Sequence, residues 1–356
     1  MTERKPLIID GSFGEGGGAI LRLSAGYSVL YQRPVKIINI RANRPKPGLR
    51  LQHLLGLKTL ANLTGSTLSK CDVGSVELSF TPRKNISNNI RVDVNTAASL
   101  GLLLQPVQIA CLGLIGCNKI EIFLNGGGTF GRWAPSLYYL ENVVYPLFKT
   151  AGLKINFIID KYGWYPKGGA RVRCMIEPPK KHVKSINFTS LGNIDLIQGE
   201  ITITESLRRS KNSIAERVEK STIRQIKKTI DLETKIKTRW VDSLSPGVAI
   251  SLWARSDLGT IISSGTILGE RKITSEQLGV KATNELAKYV NNNVPVDNYL
   301  SDQLIPLMCC AKSPSSIRVL EITDHARTNL EIVKIFTGRE YEISKEKDGA
   351  FLINYK

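Results

Sequence analysis

Apolar residues recur along the chain first at helical spacing and then in short β-branched runs, and this order repeats. The helix-like AILRLSAGYSVLY (residues 19–31) precedes the strand-like VKIINI from Val35, the polar loop RANRPKPG and the helix-like LRLQHLLGLKTLANLTG. The order returns in SLGLLLQPVQIACLGLIG, KIEIFL from Lys119, NGGGTFGRWAP and SLYYLENVVYPLFKTAG. It returns again in YLSDQLIPLMCCA, IRVLEI from Ile317, TDHARTN and NLEIVKIFTG. Each second helix is expected to stop at a glycine, Gly65, Gly152 or Gly338, because glycine takes the left-handed C-cap conformation without steric cost.

Spacing locates an insertion. Ile37 and Ile120 are 83 positions apart, Ile120 and Ile317 are 197 apart, and the surplus is enough for a small domain. The intervening chain mixes strand-like QGEITITES, VAISLWARS and TIISSGTILGE with the basic helix candidate SIAERVEKSTIRQIKKTI and a helix from Ser275. The expectation is an α/β (α+β) fold of three repeated βαβ-type units in pseudo-threefold arrangement, residues 1–185 plus 283–356, with a smaller inserted α/β domain at 186–282. In such an arrangement the polar loops after equivalent strands lie at one end. They hold Arg41, Arg44 and Lys46, then Arg132, then His325 and Arg327, and could converge on one anion-binding cleft.

The uncharged stretch at residues 94–118 is long enough to suggest a membrane span. Gln105, Pro106 and Gln108 at its centre favour a buried helix of a water-soluble core instead. MTERKPLIID shows no apolar leader, so a cytoplasmic location is expected, without membrane attachment. Six cysteines without a C-x-x-C pair support neither a zinc site nor a disulfide framework. Lys and Arg outnumber Asp and Glu 49 to 31, a net charge of +18, which points to a polyanionic partner or to a generally basic composition. A hydrophobic fraction of 42% excludes an intrinsically disordered chain.

Two segments and one histidine are candidates for chemistry. DGSFGEGGGAILR follows a strand-like run and opens a helix, so its glycines would let backbone amides approach a phosphate. No Gly-Lys-Ser/Thr follows, so it is not a P-loop, and no ribose-binding acid follows at dinucleotide-fold spacing. Glu15 within it is a candidate Mg²⁺ ligand beside bound phosphate, or a solvated residue of a tight turn. IRANRPKPGLRLQHL gathers Arg41, Arg44, Lys46, Arg50, Gln52 and His53, where guanidinium forks suit phosphate oxygens. The other reading is a solvated basic face, although two prolines and a glycine stiffen the loop. Of three histidines, His182 is expected at the surface, and His53 is as consistent with a satisfied helix residue as with a functional one. His325 opens a helix, where a neutral imidazole can attack phosphorus and Arg327 or helix amides can stabilise developing charge.

Taken in order, DGSFGEGGGAILR, IRANRPKPGLRLQHL, the GGT of NGGGTFGRWAP, YGWYPKGGARV, SPGVAISL, GERKITSE, YLSDQL and DHARTN resemble the RNA 3'-terminal phosphate cyclases over essentially the whole chain. The resemblance implies three α/β repeats with an inserted smaller domain. It also implies use of ATP and a divalent cation, Mg²⁺ or Mn²⁺, to convert an RNA 3'-phosphate end into a 2',3'-cyclic phosphodiester. By that likeness His325 is the residue adenylated, Glu15 serves metal and triphosphate, and Arg22, Arg41, Arg44 and Gln52 handle phosphates. Gln105, Pro135, Tyr299, Leu300, Ser301, Asp302 and Gln303 form the implied nucleotide pocket, and a homodimer is the candidate assembly. The chain departs from the family pattern at Tyr162, where a basic residue is usual, and at Ala170, in place of a third glycine. The alternatives are a non-cyclising relative that binds RNA in ribosomal RNA maturation, which lacks the histidine, and an enolpyruvyl-type transferase, which gives His325 no covalent role.

Overall fold

The structure, a computed structural model, describes residues 5–14, 16–132, 134–208 and 213–356. These form a mixed α/β fold containing four four-stranded sheets.

The first sheet holds β1 (Leu7–Asp10), β2 (Val35–Ile38), β3 (Thr67–Leu68) and β4 (Leu78–Thr81) in the order β1-β2-β4-β3. β1 and β2 are parallel and therefore need a crossover, which is α1 (Gly18–Tyr31). α2 (Leu51–Thr64) joins β2 to the antiparallel β3–β4 pair. In the second sheet, β5 (Asn89–Ser99), α3 (Leu100–Cys111) and β6 (Ile120–Gly128) repeat the parallel crossover. A helical segment then leads to the antiparallel pair β7 (Lys154–Lys161) and β8 (Arg171–Glu177), giving the order β5-β6-β8-β7.

That helical segment, expected as one helix, consists of α4 (Leu137–Tyr139), a π-helical turn (Leu140–Val144) and α5 (Tyr145–Ala151). Pro146 has no N–H for the carbonyl four residues back, and a widened turn relieves the clash between them. That carbonyl, of Asn142, instead accepts from Arg255 Nη2 at 3.1 Å.

After β9 (Asn187–Phe188) the chain builds a separate sheet before completing the last one. β10 (Leu196–Thr204), α6 (Ile214–Thr229), β11 (Glu233–Val241), β12 (Val248–Arg255) and β13 (Ile261–Leu268) give the order β11-β10-β12-β13, and α7 (Ser275–Asn291) follows. α8 (Asn298–Cys310), β14 (Ser315–Val319), α9 (Asp324–Thr337), β15 (Tyr341–Lys345) and β16 (Phe351–Tyr355) then form the remaining elements. β14 is parallel to β9 and antiparallel to β16, which pairs with β15.

Two hydrophobic cores accompany these sheets. The larger contains the fully buried Ile37, Ile120 and Ile317 of three strands, with Tyr27, Leu103, Leu304 and Leu330 of α1, α3, α8 and α9. The smaller joins Ile201, Ile250 and Leu252 to Val218 of α6 and Leu286 and Tyr289 of α7. Position 282 lies within the unbroken α7, so a division there cuts one helix in two. Most of the smaller core lies between Leu191 and Val294, with Ala249, Trp253 and Ile261 of that stretch in the larger core and Ala350 in the smaller. Hydrophobic periodicity does not mark these points, because α7 packs its whole length on one side.

The uncharged stretch becomes the buried α3, where Gln108 Nε2 donates to Tyr145 Oη at 2.9 Å. No helix among the described residues is long and apolar enough to cross a membrane. α2, α5 and α9 end at Gly65, Gly152 and Gly338 with φ of 63°, 112° and 68°. The six cysteines are free thiols.

Candidate active site

Between β1 and α1 the glycine-rich turn is pressed against three other parts of the chain. Asp10 anchors its start, accepting from Ser12 N at 2.9 Å and Ser12 Oγ at 2.7 Å, and these bonds lower its pKa. Gly14, at φ +55°, lies so close to α9 that a Cβ would sit 2.6 Å from Thr328 Oγ1. A Cβ on Gly16 would meet Asn43 at 2.8 Å, and one on Gly18 would meet His53 Nε2 at 2.2 Å. Asn43 Nδ2 donates to Ser12 O at 2.8 Å, tying the basic loop to this turn. The turn thus touches the loop after β2, the start of α2 and the first turns of α9. Glu15 lies outside the described residues.

Cationic side chains gather behind the turn. Arg22 on α1 is buried and donates through Nε to Gln105 Oε1 on α3 at 2.7 Å. Arg41 takes a left-handed backbone conformation, φ 56°, and its Nη1 donates to the carbonyls of Lys46 at 2.9 Å and Gly48 at 3.3 Å. Arg50 Nη2 donates to the Lys46 carbonyl at 2.9 Å, and Arg44 N donates to Arg41 O at 3.1 Å. These bonds stiffen the loop, and because a backbone oxygen carries no formal charge they leave the positive charge of Arg41 and Arg50 in place. Burial, then the charges of Arg50 and Arg44, push the Arg41 pKa down. His53, buried at the first turn of α2, is held well below the usual histidine range by burial and then by Arg22, Arg41 and Arg50. Its Nδ1 accepts from Arg50 N at 3.4 Å, which requires a neutral ring. Gln52, half-buried, lies beside it. A concentration of like charge on stiffened backbone has the chemistry to receive an anion.

His325 is the second residue of α9 and is exposed. Thr323 caps that helix, its Oγ1 accepting from Ala326 N at 3.0 Å, so the imidazole stands at the positive end of the helix dipole. One turn on, Asn329 accepts from Tyr27 Oη at 2.6 Å and donates through Nδ2 to Asp302 O at 2.8 Å. The histidine helix is thereby fixed to α1 and to α8.

α8 carries the YLSDQL residues from Tyr299 to Leu304. Its cap is Asp297, fully buried, whose Oδ1 accepts from Tyr139 Oη at 2.8 Å, Leu300 N at 2.9 Å and Tyr299 N at 3.0 Å. Its Oδ2 accepts from Ser263 N on β13 at 3.1 Å. Burial pushes this carboxyl up to about 7, against the lowering effect of those donors. Leu300, Ser301 and Gln303 are buried, Asp302 is half-buried, and Tyr299 is 51% exposed. The Tyr299 ring packs over Gly265 and stands edge-on to Tyr139, centroids 6.2 Å apart.

Pro135 lies near this aromatic wall. Ser136 Oγ is 2.6 Å from Thr266 Oγ1, next to Gly265, and the Pro135 carbonyl packs on Gly101 at the start of α3. Gly101 and Gln105 are one helical turn apart, so α3 links this wall to the arginine cluster. Arg132 makes a bidentate pair with Glu270, at 3.1 Å through Nε.

Sequence reasoning missed Thr328, Asn329, Asn43 and Asp297. Asp297 carried a signal, an Asp-Asn pair before an apolar run, which is a helix start. Thr328 and Asn43 carried none, because their importance lies in which glycine they touch.

The family profile described as "RNA 3'-terminal phosphate cyclase" matches residues 13–343. The chain is 36% identical over 342 residues to the RNA 3'-terminal phosphate cyclase of Pyrococcus abyssi, covering 96% of each. The protein so named in Methanothermobacter thermautotrophicus is 33% identical over 350 residues, covering 96% of this chain and 98% of its own. The chain belongs to the RNA 3'-terminal phosphate cyclase family.

Two departures from the usual cyclase pattern can be placed in the fold. Tyr162 stacks on Phe130 at 6.1 Å, and Phe130 stacks in turn on Trp164 at 4.3 Å. Ala170 is buried, its N donating to Gly127 O at 3.2 Å and its carbonyl accepting from Gly126 N at 2.6 Å. Both close the junction between the NGGGT turn and the YGWYPKGG loop, where Thr129 N and Oγ1 donate to Gly163 O at 2.9 and 3.1 Å.

Proposed function

We propose that the chain is an ATP-dependent RNA 3'-phosphate cyclase that works through a covalent His325–AMP adduct. The observation that supports this most is the packing of Gly14 on Thr328, one turn beyond His325. The glycine-rich turn, suited to a phosphate, thus lies against the helix that carries His325, from a distant part of the chain. The recurrent strand order further supports three related α/β units, with the β10–β13 sheet as an inserted module.

In the reading we favour, the triphosphate lies against the glycine turn and the start of α1, with Arg22, Arg41, Arg44 and Gln52 at its oxygens. Pro135 and Tyr299 flank the base, while Gln105 holds Arg22 in place. A neutral His325 nitrogen attacks the α-phosphorus, forming a P–N bond as the bond to the β-phosphate oxygen breaks and pyrophosphate leaves. An oxygen of the RNA 3'-phosphate then attacks the same phosphorus, breaking the P–N bond and giving an RNA–AMP anhydride. The neighbouring 2'-hydroxyl attacks the terminal RNA phosphorus, loses its proton and expels AMP. The gain is that a phosphate monoester, a poor electrophile, acquires a good leaving group. No group of three His, Cys, Asp or Glu side chains forms a metal cage among the described residues. By the family likeness, Mg²⁺ or Mn²⁺ would be held by Glu15 with phosphate oxygens and water, and would supply charge neutralisation.

The test is to incubate the protein with ATP, Mg²⁺ and an oligoribonucleotide ending in a 3'-phosphate. Conversion to a phosphatase-resistant end, absent with a 3'-hydroxyl end and with His325→Ala, is expected. RNA binding without any such conversion would contradict the proposal and favour the non-cyclising reading.

A further inference from the structure

The outer face of the β5-β6-β8-β7 sheet carries a row of side chains that the cyclisation chemistry does not use. Arg91, Phe123, Arg173 and Ile158 are direct register partners across β5, β6, β8 and β7, so they share one face. Their strand neighbours Val92, Ile122, Leu124, Val172 and Cys174 point into the core. The Arg91 and Arg173 guanidinium carbons lie 5.7 and 5.9 Å from the Phe123 ring centroid. The ring is thus half-buried between two cations, within cation–π range of both.

Charge on this face is mixed, with Glu121, Asp93, Asp160 and Glu177 among its cations, yet the two charges within cation–π range of the Phe123 ring are both guanidinium groups. Glu121 pairs with Lys119 at 2.7 Å and is held low by Lys119 and then Arg173, while Asp93 accepts from Asn125 Nδ2 at 2.9 Å. Among the described residues no carboxylate forms an ion pair with Arg91 or Arg173. Arg171, exposed, extends the positive charge by one row, opposite Asn125. From Phe123, β6 runs directly into Gly126–Gly128 and so to Thr129 and Pro135 at the candidate site.

We propose that this face holds single-stranded RNA upstream of the reacting end, a base stacking on Phe123 and phosphates meeting Arg91, Arg173 and Arg171. The proposal rests on the reading of RNA as substrate. An extended strand presents alternating π-faces and phosphates, and a ring set between guanidinium groups matches that alternation.

Binding of fluorescent 3'-hydroxyl oligoribonucleotides, followed by anisotropy without ATP, tests this face apart from catalysis. RNAs of about 3 and about 12 nucleotides bracket the span of such platforms. Phe123→Leu, which keeps an apolar side chain, is expected to weaken the longer RNA about tenfold and leave the shorter unchanged, while Phe123→Trp retains affinity. Arg91→Gln with Arg173→Gln is expected to lower the slope of log K against log salt by about 0.7 for each lost phosphate contact. Wild-type affinity and salt slope in these variants, or equal binding of a duplex of the same length, would overturn the proposal. Labelling of each variant by α-³²P-ATP at the wild-type level shows that the fold is intact. Failure of the wild type to label would count against the adenylation chemistry, while the anisotropy measurements would still decide whether this face binds RNA.

Discussion

Burial and three guanidinium neighbours keep His53 neutral while it caps α2 through Nδ1 and packs Nε2 against Gly18. Its folded-state pKa is depressed below the unfolded value, so the unfolded chain binds the extra proton. The stability it contributes is therefore full above about pH 6.5 and is lost as pH falls below that, at up to about 1.4 kcal/mol per pH unit. Denaturant unfolding of wild type should weaken from about pH 7 to about pH 5, and His53→Gln should flatten that part of the profile. Parallel profiles would show that the ring is not held neutral. The sequence left His53 between two readings because its environment is made by Arg22 and Arg41, which come from other elements. The position of His325 at a helix start was legible for the opposite reason: a helix start is a local feature, and its cap Thr323 lies beside it in the chain.

At the level of elements, the contact between the glycine turn and α9 has a specific cost if altered. Alanine at Gly14 would have to hold φ near +55°, about 1–2 kcal/mol unfavourable, and place its Cβ 2.6 Å from Thr328 Oγ1. Gly14→Ala is expected to slow adenylation at least about tenfold by displacing the turn from His325. Adding Thr328→Ala removes the clashing oxygen and should restore part of the rate; a double variant as slow as the single one would assign the loss to backbone strain alone. Elements themselves were largely readable, since α1, α2, α3, α6 and α9 follow the helical spacing of apolar residues and three helices end at the expected glycines. The π-turn was not, because it depends on how Pro146 is accommodated and on Arg255 taking a carbonyl from 113 residues away. The same holds for Arg132, whose pairing with Glu270 joins residues 138 positions apart.

For the whole molecule, the three polar loops were expected to meet at one end, and their partial meeting has a physical cause. The loop after β2 and the start of α9 both close on the glycine turn, where glycines let its backbone approach the Asn43 and Thr328 side chains. The loop after β6 reaches the same neighbourhood through Pro135 on α3, while its Arg132 pairs with Glu270. The charge of +18 accordingly divides between a cluster at the candidate site, Arg22, Arg41, Arg44 and Arg50, and outer faces such as that around Phe123. The most direct measurement of the central claim is a single incubation with α-³²P-ATP and Mg²⁺ in the absence of RNA. The account predicts a protein–AMP adduct that is labile in acid and stable in base, with none on His325→Ala. Absence of label on the wild type, or equal label on His325→Ala, would contradict it.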